Sequence, residues 1–185
     1  NLFLFLWFLT NFLFPMFEKE FQTKLILTKS GDVLEIPEGT QYLLGTLSLE
    51  GKENIIIRGK GVDVSILSFA QQEDGAEGLK IINCKNIQLE HFTIQDSKGD
   101  GIKTQDTDGI TFVNVKTEWT KGPNSKNGAY GIYPVQCRNV VIDSCISIGA
   151  SDAGIYVGQS EQIIVKNSEA FHNVAGIEIE NSFNV

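Results

Sequence analysis

The sequence predicts an all-β solenoid, a right-handed parallel β-helix with rungs of about 22–23 residues and an N-terminal capping helix. Three observations carry the expectation. A glycine followed by an apolar residue recurs at Gly78, Gly101, Gly131, Gly154 and Gly176, in steps of 23, 30, 23 and 22 residues. Each unit reads as two short strands with alternation, separated by polar corners. A polar residue returns at one later position of each unit: His91, Asn114, Ser144 and Asn167. A period in the low twenties built of strands marks a solenoid. Leucine-rich repeats share the period, but their Leu-rich consensus is missing.

Within each unit the first run places Leu79, Ile102, Ile132, Ile155 and Ile177 inward. The second places Ile87, Ile110, Val140 and Ile163 inward, followed two residues on by Leu89, Phe112, Ile142 and Val165. Equivalent positions then stack at ~4.8 Å, the spacing of paired strands. The recurring polar residue forms a corner ladder that satisfies backbone groups. Upstream, "GDVLEIPEGT" and "NIIIRGKGVDVSILSF" read as strands of the first rungs. "PMFEKEFQTKLIL" reads as an amphipathic helix with Phe17, Phe21, Leu25 and Ile26 on the face that covers the open end of the coil. The last unit is cut short at Val185, so the coil is expected to be a piece of a longer one, with residues 18–185 forming the β-helix domain.

Residues 1–17, "NLFLFLWFLTNFLFPMF", carry no charge and are almost wholly apolar. Their length suits a secretory signal or a membrane anchor, so the protein is expected to be exported: periplasmic, membrane-anchored or extracellular. No A-x-A cleavage site follows them, since the first alanine is Ala70. The chain has 15 Lys plus Arg against 23 Asp plus Glu among 185 residues, a net charge of −8. That balance argues against a nucleic-acid partner, which needs basic patches, and leaves the apolar segment as the only route to a membrane. The two histidines lie far apart in sequence, and no His/Cys cluster has metal-ligand spacing. Cys84 and Cys137 share one repeat position two rungs apart, near 10 Å by strand spacing, and Cys145 lies elsewhere on its rung, so all three are expected to be free thiols.

From about Gly31 onward, "EIPEGT", "IIIRGKG", "GIYV" and the Asn-bearing corners resemble exported bacterial parallel β-helix proteins of the pectate-lyase-like superfamily. Within it, "YGIYPVQ" is distantly similar to mannuronan C5-epimerases, which carry Asp-Pro-His-Asp after a Gly-Ile pair, with the His acting on the sugar ring. Here those four positions are Tyr133, Pro134, Val135 and Gln136. Val135 cannot transfer a proton, and Gln159 or a neighbour stands where those enzymes carry an Arg in the next rung. The resemblance implies the scaffold and a saccharide partner, not the epimerase reaction.

One outward column offers a binding face. Two residues after each repeat glycine stand Lys80, Lys103, Tyr133, Tyr156 and Glu178. Stacked tyrosines offer a sugar ring an apolar face and a hydroxyl handle, although outward tyrosine is also simply favoured on strands. The two lysines either hold a uronate carboxylate or pair with local acids such as Asp96 and Asp100. The seven-residue excess of the third rung sits in "TEWTKGPNSKNGAY", whose Trp119 is either a sugar platform or a plug fastening the loop. Asp100 and Asp152 are weak candidates for calcium, or else turn formers before glycine.

The functional expectation is a polysaccharide-binding or polysaccharide-modifying domain, with uronate-containing glycans favoured. Lyase or epimerase chemistry would need a base at C5, for which Lys103, Tyr133 and His172 are the weak candidates. The alternative is a non-catalytic structural or ligand-binding module of the cell surface or periplasm. A long loop supports the enzyme, and the lost epimerase motif supports the module.

Overall fold

The computed structural model describes residues 16–185, so the reading of residues 1–17 as a signal or anchor lies almost wholly outside the described residues. Within them a helix, α1, spans residues 16–27, and sixteen strands follow. All strand pairs are parallel and join each rung to the next, as the period requires.

The coil has three faces. Numbered in chain order, the second face stacks β1 (Val33–Glu35), β4 (Glu53–Arg58), β7 (Lys85–Gln95), β9 (Asp108–Glu118), β11 (Arg138–Asp143) and β14 (Glu161–Lys166). The third stacks β2 (Gly39–Tyr42) and β5 (Ser65–Ser68) with the C-terminal halves of β7 and β9, then β12 (Ile146–Ile148) and β15 (Glu169–Phe171). The first face, which carries the candidate site, stacks β3 (Leu47–Glu50), β6 (Leu79–Ile82), β8 (Ile102–Gln105), β10 (Ile132–Val135), β13 (Ala153–Gly158) and β16 (Ala175–Glu180).

The predicted inward columns form the core. Leu79, Ile102, Ile132 and Ile155 are buried on the first face, and Ile87, Ile110, Val140, Leu89, Phe112 and Ile142 on the second. Ile177 keeps its register with Ile155 but is exposed, because it belongs to the outermost described rung. The repeat glycines have a packing cause. A Cβ on Gly78, Gly101 or Gly131 would stand 2.7, 2.6 and 2.6 Å from the carbonyl oxygen of the next repeat glycine. Leu79 and Ile102 donate their N–H groups to those same carbonyls at 3.0 and 2.8 Å, so neighbouring rungs approach too closely at this corner for a side chain.

The corners between strands are turned by residues in the left-handed region. His91, Asn114, Ser144 and Asn167, the ladder expected from sequence, have φ of 61, 50, 56 and 52°. A second ladder at Asn83, Asp106, Gln136, Gln159 and Asn181 has φ between 48 and 54°. Short amide and carboxylate side chains tolerate this region better than most, which is why the corners read as Asn-rich. After each residue of the second ladder comes a small side chain: Cys84, Thr107, Cys137, Ser160 and Ser182. The N–H of Cys84 donates to the Thr107 hydroxyl at 3.4 Å, that of Cys137 to Ser160 at 3.0 Å, and that of Ser160 to Ser182 at 3.0 Å. Two of the cysteines thus occupy hydroxyl-sized slots in a corner ladder.

All three thiols are unpaired and buried, and burial pushes each above its ordinary pKa, Cys145 to about 11. Alkylation without reductant is therefore expected to label none of them in the folded protein at mildly alkaline pH and all three in denaturant, read by intact mass. Fewer than three labels in denaturant would reveal a disulfide and break the rung register.

Helix α1 closes the first rung. Phe21 and Leu25 are buried, and Phe17 packs on the core with its ring stacked on Phe21 at 5.4 Å. Ile26 does not join them: it is 59 % exposed, since it lies 100° around the helix from Leu25 and the stripe runs 17, 21, 25. Polar contacts seat the cap. Glu18 accepts the Leu44 N–H at 2.7 Å, Gln22 exchanges two bonds with the Ser48 backbone, and Lys52 Nζ caps the helix C-terminus through the Ile26 carbonyl at 2.6 Å. Among the described residues no helix is long and apolar enough to cross a membrane.

Candidate functional site

The register on the first face places Lys80 beside Lys103, Lys103 beside Tyr133, and Tyr156 beside Glu178. Ile132 pairs with Ile155, so Tyr133 and Tyr156 are neighbours across one rung. Each strand buries the residues on either side of its tyrosine and leaves the tyrosine partly exposed. The predicted column is therefore one continuous outward stripe.

A third tyrosine completes the surface. Tyr130 precedes Gly131 at the end of the long loop, and its ring lies 4.6 Å from Tyr133 and 4.5 Å from Tyr156, centroid to centroid. Tyr133 and Tyr156 meet edge to face at 5.4 Å. Sequence reasoning missed Tyr130 because it is not in the repeat column. Its one signal was the spacing "YGIY", which puts two tyrosines on either side of a tight corner. Tyr156 is oriented by its own strand: Gly158 has no side chain, and a Cβ there would stand 2.8 Å from the Tyr156 ring. The ring lies along the strand toward Gly158, and its hydroxyl donates to Glu180 at 2.9 Å.

Carboxylates surround the rings. Asp100 accepts the Tyr130 N–H at 3.1 Å, and burial raises its pKa against the opposing pull of that bond and of Lys103. Burial is also the first cause that raises the three phenols, followed by Asp152 for Tyr130, Asp100 for Tyr133 and Glu180 for Tyr156, which is pushed up to about 12. All three tyrosines are therefore neutral hydroxyls at physiological pH. A proton-abstracting phenolate at Tyr133 is disfavoured.

The lysines have local partners. Lys80 Nζ lies 3.8 Å from Glu77, and Lys103 Nζ sits 5.2 Å from the centroid of the Tyr133 ring in a cation–π contact. Asp96 is not available to them, because both its oxygens are taken by the N–H and hydroxyl of Thr120 at 2.8 and 2.7 Å.

Trp119 is tucked beneath the long loop and is not presented on the outer surface. It is 5 % exposed, and its indole N–H donates to the Ser97 carbonyl at 2.8 Å. The long loop folds back on the coil because Asn127 donates to the Gly122 and Gly149 carbonyls at 3.0 and 2.6 Å, which draws the apolar ring beneath it. The burial of Trp119 and its bond to Ser97 favour the plug reading of the residue. His172 stands apart from the tyrosines in a left-handed corner, exposed, lining a cleft of roughly 360 Å³ with Pro123, Ser125 and Asn173. Asp100 and Asp152 flank Tyr130, and among the described residues no group of three or more His, Cys, Asp or Glu could hold a metal ion. The three weak catalytic candidates are thus divided, Lys103 and Tyr133 in contact and His172 elsewhere.

A closed stack of parallel rungs with a filled interior leaves only its outer faces for a ligand, and the chain is of that class. It belongs to the right-handed beta helix region family, whose model matches residues 46–185. Among solved structures it resembles a pectin methylesterase mutant crystallised with a hexasaccharide, at a TM-score of 0.42 and 11 % identity, over 78 % of this chain and 61 % of that one. This chain thus spans less than two thirds of that enzyme's length, and the likeness is one of fold alone. No curated protein matches the sequence.

Proposed function

We propose that the chain is an exported glycan-binding β-helix domain whose saccharide lies across Tyr130, Tyr133 and Tyr156. The observation that carries this reading is the tyrosine trio: three partly exposed rings, in mutual contact, held on rigid rungs and edged by carboxylates. Rings of this kind cover the apolar face of a pyranose, and neutral phenols and carboxylates bond its hydroxyls. Binding is favoured over catalysis because the phenols are held protonated and His172 lines a different cleft. Export is supported by the uncharged apolar run at residues 1–17.

The expectation of a uronate ligand loses ground to local pairing at the lysines. Lys80 is engaged by Glu77, and a uronate laid over Tyr156 meets Glu178 and Glu180, each like-charge pair at ~5 Å in water costing up to ~1 kcal/mol. A second reading, lyase or epimerase-type chemistry on a uronate, rests on Lys103 beside Tyr133. A glycan array with the natural chain and Tyr156→Ala separates the two. Tyrosine-dependent binding without turnover is expected, weakened about tenfold or more in the variant. Release of unsaturated uronate from a bound glycan would establish the second reading, and glycan binding untouched by Tyr156→Ala would remove the first.

A further inference from the structure

The second face of the coil differs from the rest of this acidic chain. Its strands β4, β7, β9, β11 and β14 pair in one register, which lines up three outward columns. The central column, Ile56, Gln88, Thr111, Val141 and Ile164, is uncharged and at least partly exposed throughout. The two columns that edge it are charged, and each strand charged at both edges carries opposite signs there. Glu53 stands across from Arg58, Lys85 from Glu90, Arg138 from Asp143 and Glu161 from Lys166. Neighbouring rungs also pair: Arg58 with Glu90, Arg138 with Glu161, and Lys166 with Asp143 at 3.3 Å. Asp108, across from Val113 on β9, accepts from Asn139 at 2.7 Å. These edges therefore hold four cations against five carboxylates, one net negative charge in a chain whose total is −8.

We propose that a second copy of this chain docks on this face, the two coils parallel and related by a two-fold axis running along the central column. That operation exchanges the two edges and keeps the rungs level. Each charged pair within a strand then becomes a pair between copies, Arg138 against the partner's Asp143 and Glu161 against the partner's Lys166. Glu90 is already covered by Arg58, so the Lys85 contact is the weakest of the four. The central column lies on itself, and Ile56 and Val141 lose water there. Two chains at −8 repel at long range, and this nearly neutral face is where close approach costs least. Laid antiparallel, each edge would face itself, and opposite charges would meet only at particular rung offsets. Five rungs at ~4.8 Å, with strands ~20 Å long, offer ~500 Å² a side, the low end for a specific pair, so association in the micromolar range is expected. The tyrosine trio lies on the first face and stays uncovered.

Sedimentation of the full chain across the micromolar range, in mild detergent to keep the apolar residues 1–15 dispersed, is expected to show a reversible monomer–dimer equilibrium. Thr111→Lys places a charge that meets its like across the axis while lowering the net charge of each copy. It is expected to weaken the dimer about tenfold or more and to melt as the natural chain does. Val141→Cys checks the arrangement, since the three native thiols are buried. A short bis-maleimide is expected to join two copies of this variant and not two copies of Lys126→Cys, whose substitution lies in the long loop. A chain that stays monomeric would overturn the proposal. Association that Thr111→Lys leaves unchanged would also overturn it, placing the contact at an end of the coil or at residues 1–15. So would a dimer in which Val141→Cys is not cross-linked.

Discussion

Ile132→Ala is expected to lower folding stability by about 2–5 kcal/mol, whereas Tyr133→Ala, one residue on, is expected to cost about 1 kcal/mol. Ile132 is wholly buried, stacked between Ile102 and Ile155, and no side chain can move into the space its loss would leave between rungs held by backbone hydrogen bonds. Tyr133 points the other way, toward the two tyrosines and Lys103, so its truncation uncovers surface without opening the core. Urea unfolding followed by circular dichroism measures both. Similar losses of stability would mean that the inward and outward faces of β10 have been exchanged.

Trp119→Ala is expected to cost about 3–5 kcal/mol, an effect as large as any in the core, although this residue lies in the rung that carries the long loop. Two terms add: the cavity left by a buried indole, and the Ser97 carbonyl left without its donor in a buried place. Trp119→Phe keeps most of the volume and loses only the N–H, so it is expected to fall between, at about 1–3 kcal/mol. Thermal unfolding of the pair separates the terms. If Trp119→Ala instead left stability intact and abolished glycan binding, the residue would be a sugar platform after all.

The rung architecture could be read directly from the chain because each of its causes acts over a few residues and then recurs. Alternation assigned Ile102, Ile132 and Ile155 to one buried column, and the recurring glycine marked the corner where a Cβ would meet the next rung's carbonyl. The polar ladder at His91, Asn114, Ser144 and Asn167 was visible for the same reason: one left-handed corner per rung calls for the same kind of side chain each time. Even the free thiols followed from counting rungs.

What the repeat does not constrain, only the folded chain decided. Tyr130 is outside the repeat column, and its place against Tyr133 and Tyr156 depends on how the seven-residue insertion returns to the coil. That return path also turned Trp119 inward, a choice between burial and exposure that an aromatic residue in a loop leaves open. Lys80 pairs with Glu77 only three residues away, but the partners of Lys103 and Asp96 lie on other rungs, 30 and 24 residues off, and all three pairings depend on flexible side chains. Sequence alone determined the scaffold and the column of outward residues, since periodicity is a property of the backbone. The character of the site, neutral phenols edged by carboxylates, came from distances between rungs, which no single stretch of sequence contains.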